Sequence, residues 1–497
     1  MSHIRVTYSG LIALVVGLIS VFTGIIFALI VTRKLTQEEF GIWSVIGGMI
    51  SYFIIAEPVI SFWSTRQIAR GEKVGRTSLL SSMSFSLGAL PLYLVSAYFI
   101  SSVSSSHLNS MILASVLLPV TFVSQTLTGL NLAHKPHATS YGLMAFESLK
   151  IPAGLGLVYF LHLGVNGAIL ATLVAYLGKI IILIYFGRTH LKDKFSITVL
   201  RNWLKLSWLP LYSNLGHVAS VVDVILYSVI IKSVIGVSYY SVSTTVTSMI
   251  AQSGLISQAL YPKLLARGSF EHVKENFTRL MYFAIPLLGI SIIFSKPALF
   301  ALNPVYVNAS VIVIILAVRT FFYVITSTFF QILLGLENID IEKNFKYSSL
   351  AKSKLFLIPT LTNIQYILYI CILVGTLYVL NSHGVSELDL VMWWSIISLG
   401  TQVPFLIYGW ILVQKNIKFS IPFTNILKYF AVTLVFVVIF HLTSSSIIKF
   451  KQSIYEFLPS LILELVICIG VYLLLTYLID KKTRILFKSI FSEFVSR

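Results

Sequence analysis

Apolar stretches as long as a lipid bilayer is thick recur from Ser9 to Ile479, with only short polar breaks between them. A hydrocarbon core of about 30 Å takes roughly 20 apolar residues per helix, and about 14 stretches of that length can be marked off. A backbone inside lipid must satisfy its own N–H and C=O groups, which leaves helices or a closed barrel. Barrel strands alternate polar and apolar residues, and these stretches do not. The chain reads as an all-α polytopic membrane protein. Charged residues are 11% of the 497, under half the roughly 25% of soluble domains. Cys371 and Cys468 lie inside apolar spans far apart in sequence, so neither a disulfide nor a thiolate metal site is expected. Ser9 to Thr32 is too long for a signal-peptide core and is expected to be a retained first helix.

The formal net charge is +18. With the N-terminus in the cytoplasm, alternate loops carry about 25 Lys and Arg inside and about 6 outside, so topology accounts for most of the excess without a nucleic-acid partner. The inner clusters include Arg66, Arg70, Lys73 and Arg76, then Arg188, Lys192, Lys194, Arg201 and Lys205, and attraction to the inner leaflet explains them. An even number of spans puts both termini in the cytoplasm. Representative spans are Gly41 to Ser64, Tyr141 to Leu161, Ser310 to Gly335 and Leu458 to Ile479. The connector after the sixth span holds Phe195, Val199, Trp203 and Leu206 at helical spacing among basic residues, as a helix lying on the membrane surface would.

Phe40 to Gly71 aligns without a gap on Val237 to Gly268, best at the ends, where Thr65 to Gly71 lies over Pro262 to Gly268. Leu127 to Asn131 corresponds to Leu333 to Glu337 after a short insertion. The second and fourth spans thus match the eighth and tenth. Two six-helix halves of equal orientation are expected, an architecture that transporters use. The division is 1–190 for the first bundle, 191–206 for an amphipathic linker, 207–415 for the second bundle, and 416–497 for an additional helix pair with a basic tail.

Lys34 to Trp43, reading KLTQEEFGIW, resembles the "lgpeeFGlys" signature of polysaccharide flippases in the multidrug/oligosaccharidyl-lipid/polysaccharide exporter superfamily. Arg66 with Ala69, Trp203 to Ser207, Asp223 before a short outer loop, Tyr261-Pro262, and Val305-Tyr306 to Leu316-Ala317 fit the same family in order and spacing. The likeness covers the first 340 residues or so and the remainder by hydropathy. The chain departs from the pattern at Glu57-Pro58, where the family commonly has a glycine-containing turn, and in the first helix, which lacks an internal basic residue. The resemblance implies two six-helix bundles around a hydrophilic cavity and a polyprenyl- or dolichyl-phosphate-linked glycan as substrate, moved across the cell membrane by alternating access. Glycan-assembly enzymes are candidate partners. A cation-coupled drug exporter of the same superfamily and an integral-membrane glycosyltransferase or polymerase are the competing readings. Short outer loops count against an enzyme.

A charge in mid-helix costs about 2.5–3.5 kcal/mol on insertion scales, so such residues face protein or water. They are Glu57, Glu147, Lys150, Lys179, Asp223, Arg319 and Glu464. Arg319 is too deep to snorkel easily, and its fork suits a phosphate, the other reading being a structural partner for Asp223 or Glu57. Lys150 and Lys179 are the other candidate substrate contacts, although Glu147 stands three residues before Lys150 and can neutralise it, and Lys179 on a lipid-facing flank would instead snorkel to the interface. Glu57 precedes Pro58, which breaks the helix ladder, and a carboxylate there suits H⁺ or Na⁺ coupling or a structural bend. Asp223 reads as an internal counter-ion and Glu464 as a local contact in the last pair. With no phosphate-binding loop, dinucleotide fingerprint or metal-ligand cluster, no cofactor is expected.

Overall fold

The computed structural model describes residues 6–104, 107–205, 207–254, 271–335, 353–417, 420–480 and 483–484. Among them the secondary structure is helical, and eleven helical segments are long and apolar enough to cross a bilayer. The protein is a multi-pass membrane protein. The Pro262 to Gly268 end of the repeat, most of the Glu337 to Lys354 connector and the tail beyond Arg484 lie outside the described residues.

Where they are described, the expected spans correspond to helices, with breaks where the backbone demands them; the end of the eighth span, 255–264, lies outside the described residues. The first is α1 (Val6–Lys34). The second divides into α2 (Gln37–Phe53), a 3-10 turn Ile54–Ala56, and α3 (Pro58–Ala69). Pro58 lacks an N–H and so opens α3 rather than continuing α2. Next come α4 (Gly75–Ser104), α5 (Leu108–Ala114) with α6 (Leu117–His134), and α7 (Pro136–Gly154), which runs into a π-helical turn Leu155–Phe160 just after Pro152. A proline inside a helix is a recognised cause of such a widened turn. The sixth span is α8 (Gly164–Gly187), and the connector carries α9 (Ile197–Lys205). Then α10 (Trp208–Ile231) and α11 (Ile235–Gln252) follow. Gln37 opens α2, and its repeat counterpart Val234 stands one residue before the start of α11. The remaining helices are α12 (Glu271–Ile293), α13 (Ser295–Leu302), α14 (Ser310–Gly335), α15 (Lys354–Ser382), α16 (Glu387–Ile417), α17 (Phe423–Ile447) and α18 (Ile454–Ile479).

Two compact units emerge. Unit 1 is Met1–Ser241 with Tyr366–Leu390, and unit 2 is Val242–Gln365 with Val391–Arg497. In unit 1, α2, α6 and α8 bury Ile42, Ile46, Met49, Leu118, Phe122 and Ala168. Lipid tails are as apolar as leucine, so helices in a membrane gain by close approach over small residues. Gly178 on α8 is such a place, since a Cβ there would lie 2.1 Å from Leu149 Cδ1 of α7. The start of α2 is fixed by a reciprocal cap: Thr36 Oγ1 accepts from Glu39 N, and Glu39 Oε2 accepts from Thr36 N at 2.9 Å.

The connector helix differs from expectation. Trp203 of α9 is buried on Ile60, Ile68, Val74 and Leu130 of unit 1, with Val199 and Leu200 beside it. Its indole N–H donates to Gln67 Oε1 at 2.9 Å. The face read from spacing as lipid-facing is therefore largely a protein contact, while Phe195, Ile197 and Leu204 stay exposed. Leu206 lies outside the described residues.

Unit 2 is tied by buried polar contacts. Gln365 Nε2 donates to Gln402 Oε1 at 2.7 Å, and Gln402 Nε2 donates to Thr326 Oγ1 at 3.0 Å. The additional pair α17–α18 docks on α12. Tyr472 OH donates to the Tyr282 carbonyl at 2.7 Å, Tyr429 OH to Asp480 Oδ2 at 3.1 Å, and Gly289 leaves room for Thr433 and Phe436.

Candidate functional site

The membrane-embedded charges fall into distinct settings. Glu57 is 2% exposed at the break between α2 and α3. Its carboxyl accepts from Thr126 Oγ1 at 2.8 Å and Ser61 Oγ at 2.9 Å, and no cation pairs with it among the described residues. Glu147 and Lys150 of α7 form an ion pair of 2.7 Å. Glu147 also accepts from Ser20 Oγ at 2.9 Å and Thr23 Oγ1 at 2.7 Å, which closes the pair against α1. The Lys150 ammonium lies over the rings of Phe27 and Phe146.

Lys179 is half-buried in α8. Its stem lies against Gly142 of α7, where a Cβ would stand 3.4 Å from Lys179 Cγ. Among the described residues it makes neither a hydrogen bond nor an ion pair. Asp223 of α10 is buried, accepting from Tyr369 OH of α15 at 2.6 Å and from Val224 N at 2.8 Å. Tyr369 stands 146 residues away, and nothing in the local sequence announces it. Arg319 is half-buried on α14 in unit 2, its guanidinium 5.5 Å from the centre of the Tyr323 ring. Glu464 is buried in α18 and accepts from Thr443 Oγ1.

A second feature was not anticipated from the list of charges. Unit 1 holds a cavity of about 390 Å³ bounded by α2, α6 and α8. Trp43, Gly47 and Ser51 line it from one face of α2 at helical spacing, with Ile54 of the following 3-10 turn; Leu117, Thr121 and Gln125 line it from α6, and Thr172 and Tyr176 from α8. Thr121 Oγ1 donates to the Leu117 carbonyl of its own helix at 2.6 Å. None of the described lining residues is charged. The sequence signal was present as polar residues four apart within apolar spans, Thr121 with Gln125 and Thr172 with Tyr176. A search for charge passes over it.

No family model and no curated protein matches the chain. Solved structures do resemble it. "Lipid II flippase MurJ, inward closed conformation" has a TM-score of 0.66 at 16% identity, over 97% of this chain and 99% of that one. "Inward-facing conformation of a multidrug resistance MATE family transporter of the MOP superfamily" has a TM-score of 0.58 at 14% identity, over 81% of this chain and 96% of that one. This chain has the fold of the MOP transporters. At these identities the likeness is one of fold, and it agrees with the superfamily that the KLTQEEFGIW signature suggests.

Proposed function

We propose that the protein is a flippase that moves a lipid-linked oligosaccharide or polysaccharide repeat unit across the cell membrane by alternating access, and that it is not an enzyme. The observation that carries the reading is the extent of the fold likeness. The flippase structure covers 97% of the chain, leaving out about 15 of 497 residues. That is fewer than the 25 or 26 residues of either helix in the α17–α18 pair, so most of the pair is matched. The drug-transporter structure covers only 81%.

In this reading the termini are cytoplasmic, and the functional division is 1–190, 191–206, 207–415 and 416–497. The candidate contacts for the phosphate or diphosphate of a polyprenyl or dolichyl carrier are Lys150 and Lys179 in unit 1 and Arg319 in unit 2. Lys179 supports the reading most directly, because a mid-membrane cation with no anion beside it among the described residues is costly unless a guest supplies one. Lys150 must first exchange its bond with Glu147. Glu57 is the candidate H⁺ or Na⁺ coupling group, a carboxyl held by two hydroxyls rather than by a cation, and Asp223 is structural or coupling.

Flipping of a labelled lipid-linked saccharide in proteoliposomes tests the function. A charge-assisted bidentate contact contributes about 1.5–3 kcal/mol, so Arg319→Ala should slow flipping roughly ten- to a hundredfold while still inserting, and Arg319→Lys should recover part. Wild-type rates in Arg319→Ala would move the phosphate contact elsewhere. Transport of lipophilic cations in place of the saccharide lipid would favour the drug-exporter alternative.

A further inference from the structure

We propose that the cavity in unit 1 is a saccharide subsite, taking one or two sugar rings of the cargo headgroup; this inference rests on the flippase reading and assigns the sugar, not the phosphate, to that place. The volume of about 390 Å³ lies at the lower end of the roughly 300–1,000 Å³ of ligand pockets. The described lining residues are all neutral. A diphosphate or a lipophilic cation would be desolvated there with no opposite charge to receive it.

The polar groups argue equally against an acyl chain. Ser51 and Gln125 line the cavity and are exposed, and neither makes a hydrogen bond among the described residues. The indole N–H of Trp43 has no hydrogen bond among them either. Thr172 donates to the Ala168 carbonyl at 2.9 Å, which leaves its oxygen able to accept. Covering such groups with alkyl chain costs about 1–3 kcal/mol for each one left unpaired. Trp43 of α2 and Tyr176 of α8 add aromatic surface to the same walls. A pyranose carries hydroxyls around its edge and C–H bonds on its faces, so it needs unused donors and acceptors together with π surfaces of negative potential.

Gly47 supports the assignment. Glycine in a helix interior costs about 1 kcal/mol relative to alanine. No close helix contact requires it here, since a Cβ at Gly47 would meet nothing within 4 Å. What its missing side chain leaves is free space on the cavity wall.

That open space also permits the test. Gly47→Cys, in a Cys371→Ser, Cys468→Ala background, is reconstituted and labelled with a small neutral thiol reagent. Three probes compete: the lipid-linked saccharide fraction extracted from source membranes, the lipid phosphates left from that fraction once mild acid has released the glycan and the glycan has been washed away, and tetraphenylphosphonium. At about ten times the dissociation constant, the intact fraction should slow labelling about tenfold, and the other two should leave it unchanged. Protection by the acid-treated fraction or by the cation would overturn the subsite, as would a cysteine that never labels. No protection by the intact fraction, while the same vesicles flip labelled saccharide lipid, would overturn the subsite alone. Absence of both protection and flipping would remove the flippase reading with it.

Discussion

Unit 1 contains two polar regions built on opposite rules, the Glu147–Lys150 knot between α1 and α7 and the neutral cavity among α2, α6 and α8. In the knot every strong group is answered: Glu147 receives Ser20, Thr23 and Lys150, and Lys150 lies over two rings. In the cavity Ser51 and Gln125 are answered by nothing among the described residues. Energy separates the cases. An uncompensated charge at mid-membrane costs about 2.5–3.5 kcal/mol on insertion scales, whereas a neutral hydroxyl or amide can wait in a water-filled cavity at little cost. Hence charge alone is a poor marker of a binding place in a membrane protein. Unused hydrogen-bonding capacity on a concave wall is a better one.

The largest expected effect comes from opening the knot. Glu147→Ala leaves Lys150 with no acid partner in its pair and should destabilise the protein by about 3 kcal/mol, read as a lower melting temperature in detergent and a poor folded yield. Adding Lys150→Met should restore most of the loss. A single variant as stable as wild type would mean that the pair does not close α7 against α1.

Closing the cavity is the complementary experiment. Gly47→Leu places a side chain where a Cβ meets nothing, so the helix should gain up to about 1 kcal/mol. If the cavity receives cargo, flipping should nonetheless fall about tenfold, the equivalent of 1.4 kcal/mol of lost binding. Stability that rises with transport unchanged would demote the cavity to a packing defect.

The two regions were unequally legible in the sequence. Spans such as Ser310 to Gly335 coincide with helices because length and hydropathy in lipid leave the backbone one solution. The Glu147–Lys150 pair was readable because residues three apart share a helix face. Pro58 announced its own break, and Thr36 with Glu39 has the spacing of a capping box. The Asp223–Tyr369 bond and the burial of Trp203 were not readable, since both join segments more than a hundred residues apart. The cavity lay between these cases. Each of its stripes is local and visible, but their convergence on one volume is tertiary.

Glu57 stands between closed and open. Two hydroxyls donate to it and no cation faces it among the described residues. Pro58 and Gln125, its neighbour and Thr126's neighbour, both line the cavity. Glu57→Gln keeps one acceptor for Thr126 or Ser61, so the stability loss should be about 1 kcal/mol. Flipping should persist but lose its response to an imposed proton or sodium gradient. A response left intact would assign Glu57 to the helix bend alone.

The smallest effect lies beyond the end of α8, where water rather than protein answers a charge. Burial pushes the His190 imidazole below its ordinary value; the neighbouring His134 and Lys135 add to the push, and Asp193 opposes it. The His134 and His190 rings lie 4.5 Å apart. The folded chain thus binds this proton less readily than the unfolded chain, so what His190 contributes to stability is intact above about pH 6.5 and is lost as pH falls from there through the lowered folded value. The residue is partly exposed, so solvent screening keeps the effect slight. Between about pH 7.5 and pH 5.5, spanning the ordinary histidine value, the melting temperature of wild type should fall slightly more than that of His190→Asn. Equal slopes would show that even a crowded histidine pair costs nothing once water reaches it, which would confine the contrast between closed charge and open neutrality to the lipid-buried part of the molecule.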